Sequence, residues 1–268
     1  VGDDRPIGVF DSGVGGLTVA RAIWELLPNE SVTYVGDGAH FPYGPRPVEE
    51  IRRFAMGIAE HLVTRGVKLL VVACNSIEVS AIGDIAAAAE VPVVGVIAPG
   101  VRAALRATRS GTIGVIGTEA TIRTGSYQRA VGSAATLVAA ACPVFVEHVE
   151  RGDTTSAALR TAAAGYLAPL AQEGVDTVIM GCTHYPLLSG LLQLELGPDV
   201  VLVSSADETA RDVYAELVRA DALRGAAASP AHVFATTGDP AAFRRLAEQV
   251  LGLEVDHVEQ AVIAEDAA

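Results

Sequence analysis

The sequence predicts an α/β fold of two pseudo-symmetric α/β lobes with mostly parallel sheets and the active site in the cleft between them. Three observations predict it. Short β-branched runs alternate with longer Ala, Leu and Arg segments, the order that builds parallel sheets. Ile7-Gly8-Val9-Phe10-Asp11-Ser12 returns as Ile113-Gly114-Val115-Ile116-Gly117-Thr118. Gly66-Val67 leading to Val72-Ala73-Cys74-Asn75 returns, at the same Gly-to-Cys spacing, as Gly174-Val175 leading to Met180-Gly181-Cys182-Thr183. The two matches share nearly one offset, 106 and 108 residues, which reads as a duplicated unit. The lobes are expected at 1–97 plus about 207–268, and at about 98–206.

The first strand is expected at Ile7–Phe10 and runs into the loop Asp11-Ser12-Gly13-Val14-Gly15-Gly16. Its glycines permit a tight turn and close backbone approach. As a dinucleotide fingerprint the loop fails, because Thr18 stands where the third glycine is required, and it lacks the Gly-Lys-Ser/Thr of a P-loop. It reads as a loop for a small anion, with Asp11 and Ser12 exposed in the cleft. A helix over Thr18–Leu27, a strand over Val32–Val35 and the turn-rich loop bearing Asp37, Tyr43 and Gly44 follow. Pro45 and Pro47 precede a helix over Val48–Arg65. Leu69–Ala73 is apolar throughout, as suits a strand buried on both faces. Further strands are expected at Val93–Val96, Thr112–Ile116, Thr177–Gly181 and Val200–Val203. Helices over Asp207–Arg219 and Ala241–Leu251 and strands over His232–Ala235 and Leu253–His257 are expected to complete the first lobe.

Composition excludes several classes. Half of the 268 residues are hydrophobic and 19% are charged, so the chain is neither disordered nor collagen-like. Cys74, Cys142 and Cys182 are too few, and odd in number, for a disulfide scaffold. No signal-peptide pattern opens the chain, so a cytoplasmic protein with free thiols is expected. No apolar stretch reaches the roughly 20 residues that span a bilayer, so no membrane partner is expected. A net charge of −13 repels phosphate backbones, so no direct nucleic-acid partner is expected. Lys68 is the only lysine among 19 basic residues, and it precedes a strand instead of following one, which argues against a pyridoxal Schiff base. His40, His61, His148, His232 and His257 show no metal spacing, and Cys182-Thr183-His184 alone is no zinc site.

Cys74 and Cys182 each follow an apolar strand and precede an expected helix. Backbone N–H groups at such a junction favour the thiolate, so a lowered thiol pKa is expected. A cysteine in an apolar strand is otherwise inert packing. Here, polar residues follow each thiol: Asn75-Ser76 after one, Thr183-His184 after the other. Two thiols on opposite walls suit racemisation by two bases, one removing a proton from a stereocentre and the other returning one to the opposite face. His184 is placed to assist Cys182 or to protonate substrate. Cys142, in Ala140-Ala141-Cys142-Pro143, has no counterpart and reads as structural.

These segments closely resemble the glutamate racemases, cofactor-independent isomerases that supply D-glutamate for bacterial peptidoglycan. The resemblance is carried by Gly8 through Thr18, Tyr34-Val35-Gly36-Asp37, Pro42-Tyr43-Gly44, Ala73-Cys74-Asn75-Ser76, Ile113 through Thr118 and Gly181 through Leu188. It implies that Cys74 and Cys182 are the acid/base catalysts, Cys74 removing the α-proton of D-glutamate and Cys182 that of L-glutamate. It implies that Asp11 and His184 support the thiols, and that Glu150 is the acidic residue such proteins place near the site. Ser12, Tyr43, Gly44, Asn75, Ser76, Thr118, Thr121 and Thr183, with Asp11 and His184, would bind the substrate. No cofactor and a homodimer are implied. Two departures stand out: Ile77-Glu78 where small residues are usual, and Glu147-His148 where a proline and an apolar residue are usual. Pocket size alone would separate glutamate from aspartate. A binding role through the acidic surface, as linked to DNA gyrase in some such racemases, is the reading from another class.

Overall fold

The computed structural model describes residues 2–225, 229–252 and 254–263. The chain opens with strand β1 (Ile7–Asp11), helix α1 (Leu17–Leu26), β2 (Val32–Gly36), α2 (Val48–Thr64), β3 (Leu69–Val72), α3 (Asn75–Ala88), β4 (Val93–Val94) and α4 (Ile97–Ala107). A second series follows: β5 (Thr112–Gly117), short helices α5 (Glu119–Arg123) and α6 (Ser126–Val131), β6 (Thr136–Ala141), α7 (Val144–Glu150), α8 (Ala157–Gln172), β7 (Thr177–Gly181), α9 (Ser189–Leu196) and β8 (Val201–Val203). Helix α10 (Ala206–Arg219), β9 (Val233–Thr236), α11 (Pro240–Leu251) and β10 (Val258–Gln260) end the described chain.

The strands form two parallel sheets, ordered β10-β9-β2-β1-β3-β4 and β6-β5-β7-β8. The run β2-β1-β3-β4 matches β6-β5-β7-β8 strand for strand, so the internal sequence repeat is a repeat of topology. Strands β1, β2, β3 and β7 are buried along their whole length, which is why they read as apolar runs with no alternation. Apolar side chains pack on both faces of each sheet. On one face of the larger sheet, Leu17, Ile23, Val213 and Phe243 join Ile7 and Val9; on the other, Ile51, Ile58, Leu62 and Ile77 join Phe10 and Val72. Local signals fix several helix starts. Asp239 accepts from the backbone N–H of Ala241 at 2.9 Å ahead of Pro240, and Ser156 accepts from Leu159 at 3.2 Å.

Two expectations are corrected. The last strand lies at Val258–Gln260, paired with Phe234–Thr236, and not at Leu253–His257. Val255 is buried against the α11 side of the core while Glu254, Asp256 and His257 are exposed, so that stretch packs without joining the sheet; Leu253 lies outside the described residues. Strand β6 had no signal in the sequence: Thr136-Leu137-Val138-Ala139-Ala140-Ala141 ends in three alanines, which are depleted in strands. Its pairing with β5 from Thr112↔Thr136 to Gly117↔Ala141 settles its place at the edge of the smaller sheet.

Candidate active site

Because all strands run parallel and the two runs share one topology, equivalent chain segments leave equivalent strand ends. Cys74 stands two residues beyond β3 and is the N-cap of α3; Cys182 directly follows β7. Both thiols line one cavity of about 100 Å³. Ser12, Tyr43, Gly44, Asn75, Ser76, Thr118, Thr183 and His184 line it with them. Asp11, Glu150 and Thr121 stand one step behind this wall, each bonded to a residue that lines it.

On the Cys182 side, His184 Nδ1 faces the thiol sulfur at 3.8 Å and Nε2 faces Glu150 Oε1 at 2.7 Å. Burial opposes a charge on His184, yet the hydrogen bonds to Cys182 and Glu150 carry its pKa up to about 10. Thr183 donates to Asp11 Oδ1 at 3.3 Å, and Gly13 N–H donates to Asp11 Oδ2 at 3.2 Å. Gly15 makes this approach possible: a Cβ there would lie 2.5 Å from Thr183 Oγ1 and 2.6 Å from His184 Nδ1. Asp11 is fully buried, which corrects the expectation of an exposed loop carboxylate.

On the Cys74 side, the thiol donates to Ser12 Oγ at 3.7 Å. Ser76 and Thr118 share a hydrogen bond of 2.9 Å, and Thr118 donates to Thr121 at 3.0 Å. Tyr43 donates to buried Asp37, which also accepts from Thr237 at 2.5 Å. Burial pushes the Cys74 thiol pKa well up, and the Asp11 carboxylate adds to it; the N–H of Ile77 at the start of α3 pulls the other way but loses. The expected lowering is thus overturned by desolvation and a like charge. After Cys182 the chain makes a 3₁₀ turn, Tyr185–Leu188, before α9, so no α-helix N-terminus sits at that thiol.

Cys142 is buried, with its thiol on the Ala140 carbonyl at 3.8 Å, and lies outside the cavity. The unusual Ile77 is fully buried in the core beside Ile51 and Leu70, and Glu78 turns away from the cavity toward α4. Glu147 does line the cavity, and His148 pairs with Asp153 at 2.7 Å. Sequence reading missed Phe41, Pro143 and Val146 as wall residues, and Tyr127, whose hydroxyl donates to Asn75 Oδ1 at 2.7 Å. Nothing near Tyr127 in the chain marks it; only the fold brings α6 to Asn75. A larger cavity of about 670 Å³ lies between α2, the end of α3 and Gln260–Ile263, and neither thiol lines it. Among the described residues, no three His, Cys, Asp or Glu side chains gather as a metal site requires, and no helix is long and apolar enough to cross a membrane.

Residues 7–213 match the Asp/Glu/Hydantoin racemase family. A glutamate racemase of a Parafrankia species is 55% identical over 256 residues, 94% of this chain and 93% of that one. The crystal structure of a glutamate racemase isoform from Bacillus anthracis superposes with a TM-score of 0.91 at 41% identity, over 97% of this chain and 98% of that one. Glutamate racemase from Francisella tularensis in complex with D-glutamate superposes with a TM-score of 0.91 at 32% identity, over 99% of this chain and 100% of that one. The chain belongs to the Asp/Glu/Hydantoin racemase family and, within it, to the glutamate racemases, which are isomerases.

Proposed function

We propose that the protein interconverts L-glutamate and D-glutamate without a cofactor, by acid/base exchange between Cys74 and Cys182. The observation that carries this reading is the placement of two thiols, at equivalent strand ends of a repeated topology, on one small cavity. A thiolate on one face takes the α-proton, the C–H electron pair passes into the carboxylate, and the opposite thiol gives its proton to the other face. At the end the two sulfurs have exchanged protonation states. Cys74 serves D-glutamate and Cys182 serves L-glutamate. Imidazolium at His184, held by Glu150, faces the Cys182 sulfur. Asp11 supplies negative charge for the substrate's α-ammonium, which in turn relieves the like-charge pressure on Cys74. Ser12, Tyr43, Gly44, Asn75, Ser76, Thr118, Thr121 and Thr183 are the groups that hold or support the carboxylates and amine.

In this reading the lobes are 1–97 with about 207–268, and about 98–206. The product serves peptidoglycan synthesis in the cytoplasm, and the working form is a homodimer. The test is incubation with L-glutamate in D2O, without added cofactor and with a chelator present. Loss of optical activity with α-deuteration supports the proposal. No change with folded protein overturns it for glutamate, and aspartate is then the substrate to try.

A further inference from the structure

Glu78 is unexplained by the site as described. It lies in the first turns of α3, four residues after Cys74, and its own N–H bonds to the Cys74 carbonyl at 2.9 Å. Its side chain reaches to the start of α4. There Oε2 accepts from the backbone N–H of Val96 at 2.5 Å and of Ile97 at 3.0 Å. Helix α4 has no side-chain cap of its own from Val96, so the orphan N–H groups that open it are satisfied from another helix. Residue 95 is shaped for the contact. A Cβ on Gly95 would lie 2.5 Å from the Glu78 carboxyl carbon and 2.6 Å from both its oxygens.

The two helices joined in this way pack in the cores of different sheets, α3 against the larger and α4 against the smaller. Helix α3 begins with Cys74 as its N-cap and continues through Asn75 and Ser76. Helix α4 connects the two sheets and packs against β7, β8 and α6. Strand β7 leads into Cys182, and α6 carries Tyr127, the partner of Asn75. The side-chain tie between Glu78 and Gly95–Ile97 therefore runs from the backbone that holds one thiol to the helix that supports the other.

We infer that Glu78 is a positioning residue that sets the separation of the Cys74 and Cys182 walls by holding the N-terminus of α4 against the first turns of α3. The inference rests on the two-thiol reading of the reaction. Both thiols must reach one α-carbon from opposite faces, so a small shift of one wall slows both directions alike. Burial pushes the Glu78 carboxyl up to about 7 against the two N–H donors. A neutral group of the same shape still accepts at that oxygen, so Gln is expected to keep the tie.

The experiment compares Glu78→Ala, Glu78→Gln, Gly95→Ala and the Glu78→Ala/Gly95→Ala double variant. Glu78→Ala is expected to lower kcat roughly 10- to 100-fold in both directions, the scale of an ångström-sized misplacement. Glu78→Gln stays within about three-fold of the parent, since the acceptor at that oxygen is kept. Gly95→Ala expels the carboxylate and matches Glu78→Ala, whereas in the double variant the second change adds nothing. A second readout does not need turnover: bridging of Cys74 and Cys182 by a short bis-alkylating fluorogenic reagent, in a Cys142→Ser background, is expected to slow in the Ala variants only. A parent that bridges its thiols but does not racemise glutamate would end the substrate reading and leave bridging to decide this one. Unchanged bridging and kcat in Glu78→Ala, with only a lower Tm, would overturn the inference.

Discussion

The Nε2 of His184 lies 2.7 Å from Glu150 Oε1, and the other ring nitrogen faces the Cys182 sulfur. A carboxylate, an imidazole and a thiol thus stand in series, with the carboxylate behind the cavity wall and the thiol on it. Glu150→Gln removes the outer charge. It is expected to lower the His184 pKa from about 10 and to cut turnover of L-glutamate roughly ten- to hundred-fold, part of the ~10²–10⁴ that a positioned acid–base group contributes. NMR titration of the His184 ring and a pH–rate profile check both effects. The same shift has a stability sign. The folded value lies above the ordinary 6.5, so the stabilisation is complete below pH 6.5 and is lost as pH rises through about 10. Denaturation midpoints on either side of that window should show the loss in the parent and a smaller one in Glu150→Gln.

Replacing either cavity thiol by Ser is expected to reduce racemisation by roughly 10³-fold or more. The remaining thiol can still remove a proton from its own face and return one from solvent to it. Cys182→Ser should therefore retain α-proton exchange of D-glutamate and Cys74→Ser that of L-glutamate, each without inversion. Deuterium wash-in followed by chiral separation measures this. Exchange of both enantiomers by either single variant would contradict the assignment of faces.

Tyr127→Phe leaves Asn75 Oδ1 without its donor. The variant is expected to lose about 1 kcal/mol of stability. It should also raise KM several-fold with little change in kcat, because Asn75 lines the cavity without touching either sulfur within hydrogen-bond distance. Steady-state kinetics in both directions checks it.

Lys68 and Glu30 form a buried ion pair at 2.7 Å, with Lys68 also donating to the Asp3 and Ala222 carbonyls at 2.7 and 2.8 Å. Lys68→Met strands the Glu30 carboxylate and is expected to cost about 3–5 kcal/mol. Changing both residues to apolar ones should recover much of that. Urea denaturation of the two variants measures the difference, and activity per folded molecule should hardly change.

Much of the fold was legible because β1, β3, β5 and β7 are central strands, whose unbroken apolar runs have few other meanings. The two thiols were legible because the repeat aligned them. Edge strands carried less: β6 is alanine-rich, and β10 is fixed by pairing with Phe234 more than by its own residues. The Cys74 pKa direction was misread because the N–H groups that favour a thiolate are visible in sequence, while the burial and the Asp11 charge that oppose them arise only when β1 is laid beside β3. Tyr127 bonds to Asn75, and Glu78 to the backbone of Val96 and Ile97, from distant elements, and no local pattern encodes such contacts.

The return of the chain to the larger sheet has a consequence for the order in which the molecule is made. Strand β9 pairs with β2 across 200 residues, from Thr33↔Val233 to Gly36↔Thr236. On the ribosome, every strand of the four-stranded sheet has been synthesised by Val203, while the six-stranded one lacks β9 until Thr236 emerges and β10 until Gln260 does. The first-made sheet is the last to close. Until β9 emerges the β2 edge is open to other chains, which makes its prompt capture by Val233–Thr236 a condition for clean assembly.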